Sequence, residues 1–305
     1  MKDSIYFRQA NLVLDILPLL EGDNRFAIKG GTAINFFIRS LPRLSVDIDL
    51  TYLPIEGRDL TLNNIDRALQ ELEEKIRGKF SAVQIHPKYS KENKLRCGLI
   101  LSREQARIKI EPNLIVRGSV FPVEKRNLVE KAQDLFEKNV KIQSLSHADL
   151  YGSKLCAALD RQHPRDFFDI KLLLANEGIT DSIHQAFIVY LISHNRSMIE
   201  LLNPNEIDFD KTFEIEFKGM TFDDVSLKAL KDLRSKLFTS IRSSLSETER
   251  MFLISFKAGQ PDWKLLPLKK IDKLPAVQWK LQNIAAMAKP KHEAALNRLK
   301  EFLQL

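Results

Sequence analysis

The sequence predicts a mixed α/β domain followed by a mostly helical region. Three observations carry this prediction. Short apolar runs of strand type alternate with helix-period segments through the first half. A glycine turn at Gly30 and Gly31 joins one such run to a helix-compatible segment. From about Ser146 onward helical periodicity takes over, which divides the chain into an expected domain at 1–145 and a mostly helical one at 146–305.

Residues 4–20 repeat apolar positions at helical spacing and are expected to cover a sheet. Phe26, Ala27 and Ile28 read as a short buried strand, after which Gly30 and Gly31 let the backbone turn where a Cβ would clash. Ala33 to Arg39 is compatible with a helix that ends before Pro42. Leu44 to Leu50 alternates apolar and polar residues and reads as a strand. Thr61 to Gly78 places Leu62, Ile65, Leu69, Leu72 and Ile76 on one helical face. Residues 80–87, 94–101 and 105–110 read as strands, the last ending at Pro112. Residues 113–145 contain an apolar stretch around Ile115 and a partly charged, helix-compatible segment. Two helices separated near His163 and Pro164 follow, with Ser146 as N-cap of the first. Farther on, 184–193 and 227–237 are amphipathic helices by pattern, and the alternation of Phe213, Ile215 and Phe217 predicts a half-buried strand between them.

The chemistry is concentrated between Phe26 and Leu50. Asp47 and Asp49 are two apart, so in an extended strand both carboxylates leave one face. Such a pair repels itself unless a cation intervenes, and oxygen-only ligands suit Mg²⁺ or Mn²⁺. The amides freed by the Gly30–Gly31 turn at a helix start, with the Thr32 hydroxyl, suit phosphate. Together they point to a metal-assisted site for a nucleoside triphosphate. Arg43 can contact phosphate, neutralise the acids or be solvated. Glu111 can add a third carboxylate if its strand lies beside that of Asp47 and Asp49, and is otherwise a solvated strand end. Lys154 and Arg161, seven apart, leave nearly the same side of their helix. For Asp166 and Asp169, helix capping, an ion pair to Lys154 or Arg161, and catalysis all fit.

The composition, 44% apolar and 29% charged, is that of a globular protein, and no apolar run approaches a membrane span. The N-terminus lacks the basic region and apolar core of a signal peptide, so the expected location is cytoplasmic and no membrane partner is expected. Cys97 and Cys156 are expected as free thiols, and the six histidines form no metal signature. A net charge of +7, with basic residues including Lys228, Lys231, Arg234 and Lys280 in the C-terminal half, permits an RNA partner.

The stretches GGTAINFFIRSLPRLSVDIDL, RIKIEPN and KLCAALDRQHPRDFFDI together resemble the AbiEii/AbiGii toxin family of nucleotidyltransferases, distant relatives of DNA polymerase β. The resemblance implies a nucleotidyltransferase-like mixed sheet with flanking helices. It also implies transfer of a nucleotide from an NTP to a hydroxyl, with release of pyrophosphate. On its motifs, Gly31 and Thr32 bind phosphate, Asp47, Asp49 and Glu111 hold Mg²⁺, and Lys154 and Asp166 complete the catalytic set, with Asp169 as the neighbouring alternative. The family further implies a toxin acting on the tRNA 3′ end and a separately encoded antitoxin. A protein or small-molecule acceptor, a metal-dependent phosphohydrolase, and an inactive RNA- or partner-binding protein are the alternatives.

Overall fold

The computed structural model describes residues 4–304 and separates into two compact units. The first combines Met1–Leu150 with Phe217–Asp224, and the second combines Tyr151–Glu216 with Val225–Leu305. Residues 217–224 thus return to the first unit.

In the first unit, helix α1 (Ile5–Ile16) opens where the Ser4 hydroxyl accepts the Phe7 amide at 3.1 Å, and it buries Ala10, Leu12, Val13, Leu14 and Ile16. Strand β1 (Phe26–Lys29) runs directly into α2 (Gly30–Phe37), followed by β2 (Ile48–Tyr52) and the long α3 (Arg58–Lys79). Strands β3 (Gln84–Tyr89), β4 (Arg96–Arg103) and β5 (Ala106–Asn113) form a meander. Then come β6 (Glu124–Asn127), α4 (Glu130–Phe136) and β7 (Lys141–Ser144). The seven strands form one mixed sheet in the order β3-β4-β5-β2-β1-β7-β6. Strand β2 pairs antiparallel with β1 and parallel with β5, which puts the acidic stretch at the sheet centre.

Three local expectations are corrected. Residues 44–47 precede the sheet strand, because their backbone is engaged elsewhere: Leu44 donates to the Met220 carbonyl at 2.8 Å and Arg43 bridges Thr221. Strand β5 continues through Pro112 to Asn113. Its pairing to β4 stops at Ile110, so a residue without an amide proton is tolerated where only β2 remains beside it. Strands β6 and β7, four residues each, lie in the segment to which no strand was assigned.

The second unit is helical. Helix α5 (His147–Arg161) begins within the last residues of the first unit. It is followed by α6 (Pro164–Ala175), α7 (Asp181–Ser193), α8 (Met198–Leu202) and α9 (Asp210–Glu216). Then come α10 (Leu227–Ser244), α11 (Glu247–Lys257), α12 (Pro275–Ala285) and α13 (Lys289–Leu303). A Cβ on Gly152 would lie 2.7 Å from both Ala186 Cβ and the Phe187 amide nitrogen, so glycine sets how closely α5 meets α7. The strand expected around Phe213 is instead α9. Phe213 and Phe217 are spaced by four and are buried, while Ile215 is 62% exposed, the outcome of helical rather than alternating geometry. Among the described residues no helix is long and apolar enough to cross a membrane.

Several basic residues of this unit are occupied internally. The nearly buried Arg234 donates to Glu206 Oε2 at 2.5 Å and to the Ile207 carbonyl at 2.6 Å. Lys231 pairs with Asp210.

The start of α5 is held by a buried carboxylate. Asp149, fully buried, accepts the amides of Val120 and Phe121 at 2.9 Å each and the Ser146 hydroxyl at 2.7 Å. The Ser146 hydroxyl in turn accepts the Asp149 amide at 3.0 Å, the expected N-cap. Replacing Asp149 by Ala strands the half-buried amides of Val120 and Phe121 and the buried Ser146 hydroxyl, so Asp149→Ala is expected to cost about 3 kcal/mol in urea denaturation.

Candidate active site

The site is built where β1 enters α2. Gly30 has φ +68°, and a Cβ placed on it would lie 2.5 Å from Asp49 Oδ2. Only glycine accommodates both that backbone and that carboxylate. The Asp49 carboxylate therefore sits against the first turn of α2, where the unpaired amides favour negative charge. Lys29, the N-cap residue, carries an ammonium that cannot accept those amides.

Gly31 performs a second close approach. A Cβ there would lie 2.6 Å from Arg43 Nη2 and 3.0 Å from Ser45 Oγ. Arg43 is 2% exposed and donates to the Leu44 carbonyl at 3.0 Å, so it is a buried cation behind the turn rather than a solvated one. Thr32 is 1% exposed; its hydroxyl donates to the Asp47 carbonyl at 2.5 Å and stands 3.0 Å from Ser45 Oγ. In this arrangement it fastens the acidic stretch to α2 instead of facing solvent.

Register delivers the third acid. Across β1–β2 Lys29 is paired with Asp49, and across β2–β5 Asp49 is paired with Glu111. Side chains of paired residues share a face, so the parallel β2–β5 pairing gives Glu111 the neighbour it required. Asp47 lies just before β2, and its Oδ1 accepts the Lys109 amide at 3.1 Å. Asp49 and Glu111 line a cleft of about 290 Å³ with Lys29, Lys88, Cys97 and Pro112.

Lys88 was not singled out from the sequence, yet its Nζ lies 2.8 Å from Glu111 Oε1. It reaches from β3 over β4 to β5, and its register partner on β4 is Gly98. A Cβ on Gly98 would lie 2.9 Å from the Ile110 carbonyl and 3.6 Å from Glu111 Cγ, so the missing side chain opens this path. The bond to Glu111 raises the affinity of the Lys88 amine for its proton. Burial pushes the Cys97 thiol up, which keeps it protonated beside these charges. The sequence signal for Lys88 was a lysine and a glycine on consecutive strands, informative only once the register is known.

The all-oxygen donors fit a hard divalent ion, and Asp49 and Glu111 are in place as a pair. Among the described residues, however, no group of three or more His, Cys, Asp or Glu side chains is gathered at ligand spacing. Lys88 and the Lys109 amide instead offset the negative charge of Glu111 and Asp47.

The remaining motif residues form a cluster within the second unit. Lys154, 5% exposed, places Nζ 2.9 Å from Asp166 Oδ1 and 3.0 Å from Asp169 Oδ2. Arg161 Nε reaches Asp166 Oδ2 at 2.6 Å. Burial works to raise the Asp166 pKa, but the charges and hydrogen bonds of Lys154 and Arg161 outweigh it and hold the carboxyl far below the usual carboxylate range. Both aspartates thus hold Lys154, and Asp166 carries the additional arginine.

A mixed sheet with a glycine turn leading into a helix and acids on the adjoining strand places the chain in the nucleotidyltransferase class. The family model described as "Nucleotidyl transferase AbiEii toxin, Type IV TA system" matches residues 12–283. The chain therefore belongs to the AbiEii family of nucleotidyltransferase toxins, as its motifs implied. Among solved structures, MenT4, a nucleotidyltransferase toxin from Mycobacterium tuberculosis H37Rv, superposes with a TM-score of 0.60 at 15% identity. The match covers 97% of this chain and 92% of MenT4, and establishes a shared fold. A comparison with curated proteins returns no significant match.

Two outcomes follow from this geometry. Gly30→Ala adds a Cβ at a left-handed backbone and against Asp49, and is expected to lower stability by about 1–3 kcal/mol by urea midpoint. Asp166→Asn leaves Lys154 and Arg161 short of a buried counter-charge and is expected to cost about 3–5 kcal/mol at neutral pH. Because the folded-state pKa of Asp166 is depressed, its contribution is full above the unfolded value of about 3.9. It declines as pH falls from there toward the folded value, so the difference between wild type and Asp166→Asn, followed by urea titrations from pH 7 to pH 3, narrows only at the acid end.

Proposed function

We propose that this enzyme transfers a nucleoside monophosphate from an NTP to the 3′ end of tRNA, with Mg²⁺ as the metal. The observation that supports it most is the pairing of Asp49 with Glu111 beside the Gly30 turn, within a chain of the AbiEii family. The amides of Gly31 and Thr32 at the start of α2 bind outer phosphates of the triphosphate, where the helix end favours anions. The Thr32 hydroxyl keeps the Asp47 backbone in register with that turn. Asp47, Asp49 and Glu111 are the residues that would hold Mg²⁺, with Mn²⁺ as a substitute. Bound there, the ion lowers the pKa of an acceptor hydroxyl and offsets triphosphate charge.

In the reaction the acceptor hydroxyl oxygen would attack the α-phosphorus, its proton passing to solvent, while the α–β phosphoanhydride bond breaks and pyrophosphate leaves with the electron pair. Glu111 exchanges its bond to Lys88 for duty at the acceptor side. Lys154 is the residue that the family's motif assigns to the leaving pyrophosphate, and within its own unit Asp166 and Asp169 hold its ammonium. The net charge of +7 permits an RNA acceptor, and the family's toxin character is compatible with one. A separately encoded antitoxin is the partner that the family's toxin–antitoxin description supports.

Purified protein with Mg²⁺, each α-labelled NTP in turn and total tRNA is expected to move label onto tRNA, removable by 3′ trimming. Asp49→Asn and Glu111→Gln are each expected to reduce transfer by about 10²-fold or more while the far-ultraviolet circular dichroism is unchanged. Label released as free NMP without an acceptor identifies a phosphohydrolase instead. Label on protein or a small molecule with tRNA unmodified redirects the acceptor.

A further inference from the structure

The second unit contains a cavity of about 340 Å³ that lies outside every motif discussed above. It is bounded by α8, α11, α12 and α13. Its apolar wall is made by Met198, Ile284, Met287 and Leu299, and amides are offered by Asn195 and Asn283. Lys257, Lys280, Lys291 and Arg298 also line it, against a single acid, Glu200. That acid already accepts the Ser197 hydroxyl at 2.7 Å.

The four cations differ in what occupies them. Lys280 is structural: it donates to the carbonyls of His194, Asn195 and Arg196 at 2.6, 3.2 and 2.7 Å, closing the turn after α7. The Lys257 ammonium lies 3.8 Å from the Met287 sulfur, and no described carboxylate pairs with Lys257, Lys291 or Arg298. Burial, and then the charge of Arg298, lowers the Lys257 pKa. Burial, and then the charge of Lys257, pushes the Lys280 pKa down to about 8. Half-buried Lys257 and Lys280, with the exposed Lys291 and Arg298, thus give the cavity a positive potential that attracts an anion.

We propose that this cavity binds a phosphate-bearing ligand of nucleotide size. The phosphate is received by Lys257, Lys291 and Arg298, while the sugar and base rest on the Met198, Ile284, Met287 and Leu299 wall. The volume lies at the small end of the range of about 300–1,000 Å³ typical of ligand pockets. Methionine thioethers pack well on flat aromatic rings, and the Asn195 and Asn283 amides can both donate to and accept from a base edge. The same chemistry is presented by a free nucleotide and by one nucleotide of an RNA strand. The assignment does not depend on the acceptor proposed above.

The test uses the full chain with excess EDTA, which keeps divalent ions from the first unit's acids. A fluorescent nucleoside monophosphate is titrated by anisotropy, with an unlabelled single-stranded RNA oligonucleotide as competitor. Wild type is expected to bind the monophosphate, and the double variant Lys291→Glu/Arg298→Glu to bind it about tenfold or more weakly, a change of 1.4 kcal/mol per tenfold. Lys257→Met keeps the bulk and removes the unpaired cation, so it is expected to weaken binding while raising the melting temperature. The exposed Lys273, outside the cavity, serves as charge control, and Lys273→Glu is expected to bind as wild type. Displacement by RNA assigns the pocket to an RNA nucleotide; retention of the monophosphate against RNA assigns it to a free nucleotide. Absence of monophosphate binding, unchanged affinity in the double variant, or an equal loss in Lys273→Glu would each overturn the proposal.

Discussion

The approach of the Asp49 carboxylate to Gly30 is the constraint on which the first unit's architecture depends. Any side chain at position 30 would overlap Asp49 Oδ2, and the left-handed backbone there already favours glycine. With the Cβ absent, β1 turns at once into α2 and leaves the carboxylate against the open helix start. The first turn of α2 and the Asp49 carboxylate come to adjoin through one missing carbon. Gly31 extends the same device inward by admitting Arg43 and Ser45 beneath the turn.

The sheet converts this local geometry into a cleft. Because β2 has β1 on one side and β5 on the other, Asp49 is placed between Lys29 and Glu111 by register alone. Gly98 then lets Lys88 cross a strand to Glu111, so a cation from the far end of the meander offsets the third acid. The second unit uses the opposite solution. Its charges at Lys154, Asp166, Asp169 and Arg161 neutralise one another in a buried cluster, whereas its cavity cations at Lys257, Lys291 and Arg298 have no described carboxylate partner.

Much of this was legible from residue order. Helix periodicity located α1, α3, α5, α6, α7 and α10, because each buries a wide apolar stripe that recurs over several turns. The turn at Gly30 and the acids of the following strand were legible because glycine pairs and alternating carboxylates have few other uses in so short a span. The errors have physical causes. Phe213, Ile215 and Phe217 satisfy a two-residue period, but Phe213 and Phe217 also satisfy a four-residue one, and a seven-residue segment cannot separate the two. Residues 44–47 have a strand pattern and lose their place in the sheet to a pairing with 220–222, which lie far away in sequence. Lys88, Lys29 and the buried state of Arg43 depend on register and packing, which no local pattern encodes. The hydroxyl of Thr32 was assigned by chemistry to phosphate, and it is tertiary geometry that directs it to the Asp47 carbonyl.

We propose that Asp49 and Glu111, paired by the β2–β5 register, form the metal-holding core of a nucleotidyl-transfer site. A crystal structure of the protein with Mn²⁺ and a non-hydrolysable NTP analogue, with manganese located by anomalous scattering, tests it most directly. Manganese is expected at Asp49 and Glu111, with Lys88 displaced from Glu111 and the analogue's phosphates at the start of α2. Manganese and phosphates bound elsewhere, with the Lys88–Glu111 pair intact, would contradict it.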